Sequence, residues 1–129
     1  MIEREIIDNR KVSSGPRRGD RLQAIDAEIL REKAEALGRA GLRLEEALDD
    51  LGRVREAMHM TERRFQMCCG SPEETSSLRA THSDLAARRE ILRDRARLAY
   101  LYLVIQREAV GVRNHLDVER CYRISKRLR

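Results

Sequence analysis

Two adjacent cysteines and two histidines are the residues of this 129-residue chain best suited to metal or redox chemistry. Cys68 and Cys69 stand side by side, with His59 before them and His82 after them. Adjacent side chains on a helix point about 100° apart, whereas structural zinc sites use spaced cysteine pairs. We therefore interpret Cys68 as a small core residue with Cys69 at its rim, and we expect no metal or other cofactor. A thiol switch is the alternative use of this pair.

Neighbouring carboxylates are the candidates for acid–base catalysis, which requires them in a concave and partly dry site. The chain has three pairs of adjacent carboxylates. The four carboxylates of the first two pairs flank the apolar positions of a helical pattern and should therefore face water. The other two fit a helix start, where negative charge is favourable. The chain also lacks Glu-x-x-His, a glycine-rich phosphate loop and a nucleophile elbow. We expect no catalytic residues and no enzyme; the carboxylate pairs are Glu45–Glu46, Asp49–Asp50 and Glu73–Glu74.

Positive charge is concentrated at the two ends of the chain. There are 27 Lys and Arg against 22 Asp and Glu, for a net charge of +5. Residues 112–129 hold six basic and two acidic residues, whereas residues 20–111 are nearly balanced, which argues against a nucleic-acid groove along the body. The basic run Arg88–Arg97 is interleaved with acids and is interpreted as a solvated, ion-paired face. The candidate contacts for an anionic partner are Arg120, Arg123, Lys126, Arg127 and Arg129.

A seven-residue repeat of apolar residues predicts the elements that position these side chains. Large apolar residues recur at every seventh position from Leu30 to Phe65, and a second apolar repeat runs from Leu78 to Ala99, as in the seams of packed helices. The fold class is therefore all-α, a long antiparallel, coiled-coil-like helical hairpin, and strands should be absent. The residues expected to be most buried are Leu37, Leu44, Leu51, Met58, Leu85, Leu92 and Leu103.

The ends of the helices are marked by capping residues. Gly70 suits a helix end, Ser71 an N-cap and Pro72 the first helical position, so helices are predicted over 20–69 and 72–110. Asp20 is predicted to be the N-cap of the first helix, after a flexible arm over residues 1–19. Residues 20–129 then form a single helical domain, made of the hairpin over 20–110 and a C-terminal segment, 112–129, with a short helix over 114–127. Gly38 and Gly41, within the first helix, predict either a kink or the close approach of another helix.

A second apolar stripe on the second helix lies about 100° from the hairpin seam. It consists of Ile91, Leu98, Tyr102 and Ile105. One partner helix cannot cover both stripes, and residues 114–128 could cover only about 20 Å of the second. We therefore expect two copies of the chain to pack through this face and to complete a helical bundle as a homodimer.

These patterns favour a helical protein–protein interaction or scaffold protein. The alternative is a nucleic-acid-associated protein that binds phosphate through its basic N- and C-terminal segments. The longest apolar run has eight residues, against about 20 needed to span a bilayer, so no membrane association is expected. The charged start and the odd number of cysteines predict a cytoplasmic location, and the excess of Arg over Lys suggests a bacterial genome.

Overall fold

The computed structural model describes residues 15–67 and 70–129. Over these residues the chain forms four helices and no strand. The two long helices pack against each other as a hairpin, which confirms the predicted all-α fold with helical C-terminal residues. Cys68 and Cys69 lie outside the described residues, and their place in the core stays a prediction. The helices are α1 Arg18–Met67, α2 Pro72–Ala109, α3 Leu116–Tyr122 and α4 Ile124–Arg127.

Both long helices begin at capping interactions, one of which the sequence predicts. Ser71 Oγ accepts a hydrogen bond from the Glu74 N–H at 3.4 Å, and the proline that follows it opens α2. The prediction that Asp20 is an N-cap is wrong, because α1 begins two residues earlier, at Arg18. The Asp20 carboxylate instead reaches back and accepts a hydrogen bond from the Arg17 N–H at 3.2 Å. A carboxylate in the first turn is equally able to satisfy a free N–H at the helix start.

The C-terminal residues fold back and form a third layer on the hairpin. Val118, Ile124 and Leu128 are buried in the core of the hairpin. Arg123 lies between α3 and α4 with φ 52° and ψ 45°. This left-handed conformation cannot continue a right-handed helix, so the single helix predicted over 114–127 is present as two short ones.

The most deeply buried leucines of α1 lie between the two points where this third layer contacts the helix. On α1 the layer contacts Gly41, through Tyr122, and Arg55, through the last residues of the chain. Between these two points the inward-facing residues Leu44, Leu48 and Leu51 are at most 1% exposed. Leu37, which precedes Gly41, is only partly buried although it belongs to the same seven-residue repeat. Of the residues expected to be most buried, the structure buries Leu44, Leu51, Met58, Leu92 and Leu103 and half-buries Leu37 and Leu85.

α1 passes through both of its central glycines without a break. A Cβ atom placed on Gly41 would lie 3.6 Å from the Tyr122 Oη, whereas one placed on Gly38 would meet no atom within 4 Å. The broken helix considered from the sequence is therefore not formed. Gly41 instead marks the close approach of another helix, and that helix is α3.

Arginines hold the main chain of the C-terminal residues. Arg55 on α1 donates hydrogen bonds to the main-chain oxygens of Arg127 and Arg129, the second at 3.0 Å. Arg97 on α2 donates to the main-chain oxygen of Leu128 at 3.2 Å. Carbonyls at a helix end have no partner within their own helix, so these guanidinium groups satisfy them and fix the segment to both long helices.

Side chains fix the other end of the C-terminal segment. Arg107 donates to His115 Nδ1 at 3.3 Å and to the Asp117 carboxylate at 3.2 Å. The Tyr100 hydroxyl donates to a Glu119 carboxylate oxygen at 3.2 Å. Burial of the phenol, together with this negatively charged neighbour, raises the pKa of Tyr100.

The chain divides into two compact units, Met1–Glu32 and Lys33–Arg129. The structure describes residues 15–32 of the first unit, where Leu22, Ile25 and Ile29 are exposed. The core and the C-terminal segment belong to the second unit. The flexible arm stays a prediction over residues 1–14, which lie outside the described residues, whereas Arg18 and Gly19 at the end of the predicted arm belong to α1. In the described part of the chain, no helix has an apolar stretch long enough to cross a bilayer.

Candidate functional site

The predicted self-association residues form one solvent-facing surface on α2. Ile91 is 69% exposed and Leu98 is 67% exposed, and Tyr102 and Ile105 are also exposed. These four residues lie about 100–130° around α2 from Leu92, Ala96 and Leu103, which face the core. We call them the outward face of α2. Leu101 is a further exposed apolar residue beside this face that the sequence analysis did not include.

Charged residues of α1 and α2 border the outward face. The Arg43 guanidinium lies 5.7 Å from the centre of the Tyr102 ring, within the range of a cation–π contact. Arg95 lies 3.6 Å from the Asp50 carboxylate. A hydrogen bond from Arg53, with the positive charge of Arg95 nearby, lowers the pKa of Asp50. The outward face is thus an apolar centre with a charged edge.

The five basic residues predicted to contact an anionic partner fall into two groups. Arg120, Arg123 and Lys126 are exposed and border one shallow depression, together with Glu119. Arg127 is turned toward α1, where its guanidinium lies 3.6 Å from the Asp49 carboxylate. The main-chain oxygen of Arg129 is bound by Arg55. The structure therefore brings Arg120, Arg123 and Lys126 together. Arg127 and Arg129 lie instead where the C-terminal segment contacts α1.

The structure reveals an arginine cluster that the sequence analysis missed. Arg55 on α1 lies near Arg89 and Arg93, which are one turn apart on α2. Burial of the guanidinium, and then the positive charges of Arg93 and Arg89, lower the pKa of Arg55. Glu90 is shared by the two arginines of α2, at 3.5 Å from Arg89 and 3.4 Å from Arg93. We call Arg55, Arg89 and Arg93 the arginine cluster.

The run Arg88–Arg97 is therefore not one solvated face, as its sequence suggests. Arg89, Arg93 and Arg97 lie toward the C-terminal segment, and the side chain of Arg93 is only 20% exposed. Arg95 lies on the other side of α2, against Asp50. The four-residue spacing of Arg89, Arg93 and Arg97 was the available signal, because residues four apart share a side of a helix.

A groove between α1 and α2 continues from the arginine cluster toward the hairpin turn. It encloses about 570 Å³ between Thr61, Phe65 and Leu78, with Arg79 and His82 on its α2 side. The Arg79 guanidinium lies 5.7 Å from the centre of the Phe65 ring.

The predicted metal candidates do not meet in the described residues. His82 Nε2 lies 3.1 Å from a Glu62 carboxylate oxygen, and His59 is exposed. Where the structure describes the chain, no three histidine, cysteine, aspartate or glutamate side chains are placed to hold a metal ion. Cys121 is an exposed free thiol. No protein-family model, no curated protein and no solved structure matches this chain.

Proposed function

We propose that the chain is a helical protein–protein interaction or scaffold protein that acts as a homodimer and has no catalytic activity of its own. The observation that carries this proposal is the outward face of α2. Exposed apolar surfaces of this extent on a helix mark sites of association. Neither α1 nor the C-terminal segment lies over Ile91 and Leu98, which a monomer would leave in water.

The dimensions of the outward face suit a second copy of the chain. From Ile91 to Ile105 it extends over about 21 Å of helix, and two such helices can cross through their apolar centres. A stable interface buries about 800 Å² on each partner and has a polar rim. Arg43 and Arg95 are placed to supply that rim. Packing two copies in this way would complete a helical bundle around a two-fold axis.

Sedimentation equilibrium tests the dimer directly. The wild type is expected to have close to twice the chain mass of 15.0 kDa at micromolar concentration. The double substitution Ile91→Glu, Leu98→Glu places charges at the centre of the interface and should lower the mass to that of one chain. Leu42→Glu, Met60→Glu is the matched control, because both residues are exposed on α1 and should leave the dimer intact. A wild type that stays monomeric and well folded would contradict the proposal.

Nucleic-acid association is the second candidate function, and the depression bordered by Arg120, Arg123 and Lys126 favours it. Among the described residues, these three side chains have no ion-pair partner, so they are available to phosphate. Binding of a labelled oligonucleotide should weaken steeply with salt, with a slope that falls when Arg120 and Lys126 are replaced by Gln. Affinity that does not respond to salt would contradict this candidate.

We also propose a cytoplasmic location and a bacterial source. The support comes from composition: three cysteines without a framework spacing, and 24 Arg against 3 Lys. The exposed free thiol of Cys121 fits a reducing compartment. Alkylation of Cys121 in intact cells, without prior reduction, would support the location. A thiol found oxidised there would contradict it.

A further inference from the structure

The groove between α1 and α2 is occupied along only part of its length. On α2 the C-terminal segment contacts Arg107, Tyr100 and Arg97. Residues seven apart lie on the same side of a helix. Arg93 precedes Tyr100 by seven residues and Arg79 precedes Arg93 by fourteen, so both lie on this side of α2, closer to the turn. From Arg97 to Arg79 this side is about 27 Å long. Between Arg93 and Arg79, no described residue outside α1 and α2 covers the groove.

The open part of the groove combines an apolar floor with a cationic side. Phe65 and Leu78 form the floor. Thr61 lies one turn from Phe65 along α1, in the direction of the arginine cluster. Arg79 lies over the Phe65 ring at one end. The carboxylate that lines it, Glu62, is already engaged with His82.

The arginine cluster at the other end is not neutralised by its own neighbours. The Nε atoms of Arg89 and Arg93 are buried and have no hydrogen-bond partner among the described residues. In the described part of the chain, Glu90 is the carboxylate in contact with these two side chains, at 3.5 Å from Arg89 and 3.4 Å from Arg93. Arg55 uses its guanidinium on main-chain oxygens of the C-terminal segment. Partly buried guanidinium groups with unpaired N–H donors favour binding of a negative group, because burial weakens the screening of their charge by water.

We propose that this groove binds an acidic, amphipathic helical segment of a partner protein, with apolar side chains on Phe65 and Leu78 and carboxylates on Arg79, Arg89 and Arg93. The inference rests on the proposed function as an interaction protein and names the chemistry of its partner. The C-terminal segment supports a helical occupant, because it fills the neighbouring part of the same groove with its own apolar residues inward. The partner segment would continue the third layer toward the turn, as amphipathic helices do in other apolar grooves.

Fluorescence anisotropy with a designed peptide tests this assignment. The probe is an 18-residue labelled helical peptide with Leu on one side and Glu on the other, and its control carries Lys in place of every Glu. The acidic peptide should bind at least tenfold more tightly than the basic one. Arg89→Gln, Arg93→Gln should weaken its binding at least tenfold. Arg39→Gln, Arg88→Gln removes the same charge from two exposed positions outside the groove and should leave binding within twofold.

Several results would overturn the assignment. One is an equal affinity for the acidic and the basic peptide. Another is an equal loss of affinity for the acidic peptide in the two double variants. Arginine Nε–H signals of Arg89 and Arg93 that stay unmoved in ¹⁵N spectra of the peptide complex would also contradict it. Tighter binding of a single-stranded oligonucleotide at the same arginines would assign the groove to nucleic acid. Sedimentation of the same samples separates the two proposals, because a dimer that binds no acidic peptide refutes the groove assignment alone.

Discussion

Three leucines of one seven-residue repeat should differ sharply in what they contribute to stability. Leu30, Leu37 and Leu44 are equivalent in sequence, but Leu30 is 66% exposed, Leu37 is partly buried and Leu44 is fully buried. Leu44→Ala removes a side chain from a closed part of the core and should lower the free energy of unfolding by about 3–5 kcal/mol. Leu37→Ala loses only part of that transfer free energy, about 1–2 kcal/mol. Leu30→Ala should change the free energy of unfolding by less than about 0.5 kcal/mol.

Urea unfolding followed by circular dichroism at 222 nm measures these differences. The three variants and the wild type are compared at one protein concentration, because self-association would add a concentration-dependent term. The midpoint should shift while the dependence of the free energy on urea stays constant. Equal costs for the three substitutions would refute the argument that the C-terminal segment creates the closed part of the core, and so would a larger cost at Leu37 than at Leu44.

Further predictions concern two glycines and one tyrosine. Gly38→Ala should stabilise the protein by about 0.5–1 kcal/mol, since its Cβ meets no atom within 4 Å and alanine is the better helix former. Gly111→Ala should destabilise it by about 1–2 kcal/mol, because Gly111 has φ +92°; thermal unfolding of both variants checks the opposite signs. The raised pKa of Tyr100 favours its neutral form in the folded state, so its stabilising contribution is present below pH 10 and is lost as the pH rises above 10. Stability measured from pH 8 to 11 should therefore converge for the wild type and Tyr100→Phe, and Glu119→Gln should lower the pH at which Tyr100 ionises in an ultraviolet titration.

The hairpin could be predicted from the sequence because its signals are local. The seven-residue repeat needs only the period of a helix, and Ser71 followed by Pro72 needs only the geometry of a helix start. The start of α1 was misplaced for a related reason. An aspartate serves equally well as the cap or in the first turn, and the sequence around Asp20 does not distinguish these positions.

The arginine cluster could not be found by counting charges along the chain. Residues 20–111 are nearly neutral in sum, but the sum does not state which side of a helix each charge occupies. Arg55 lies near Arg89 and Arg93 only because the hairpin brings distant turns together. Arg127 was likewise grouped with the free basic residues, and its pairing with Asp49 depends on how the C-terminal segment folds back.

The anchoring of the last residues determines which substitutions the end of the chain tolerates. Arg55 and Arg97 bind main-chain oxygens, which every amino acid possesses, and so the contacts do not depend on the side chains at positions 127 and 129. The buried Leu128 is the one side chain among these three whose size the core constrains. Position 129 can therefore change its charge without losing these contacts, whereas the guanidinium of Arg127 also pairs with Asp49. The fold therefore fixes the position of these last residues and leaves the charge at position 129 open to substitution.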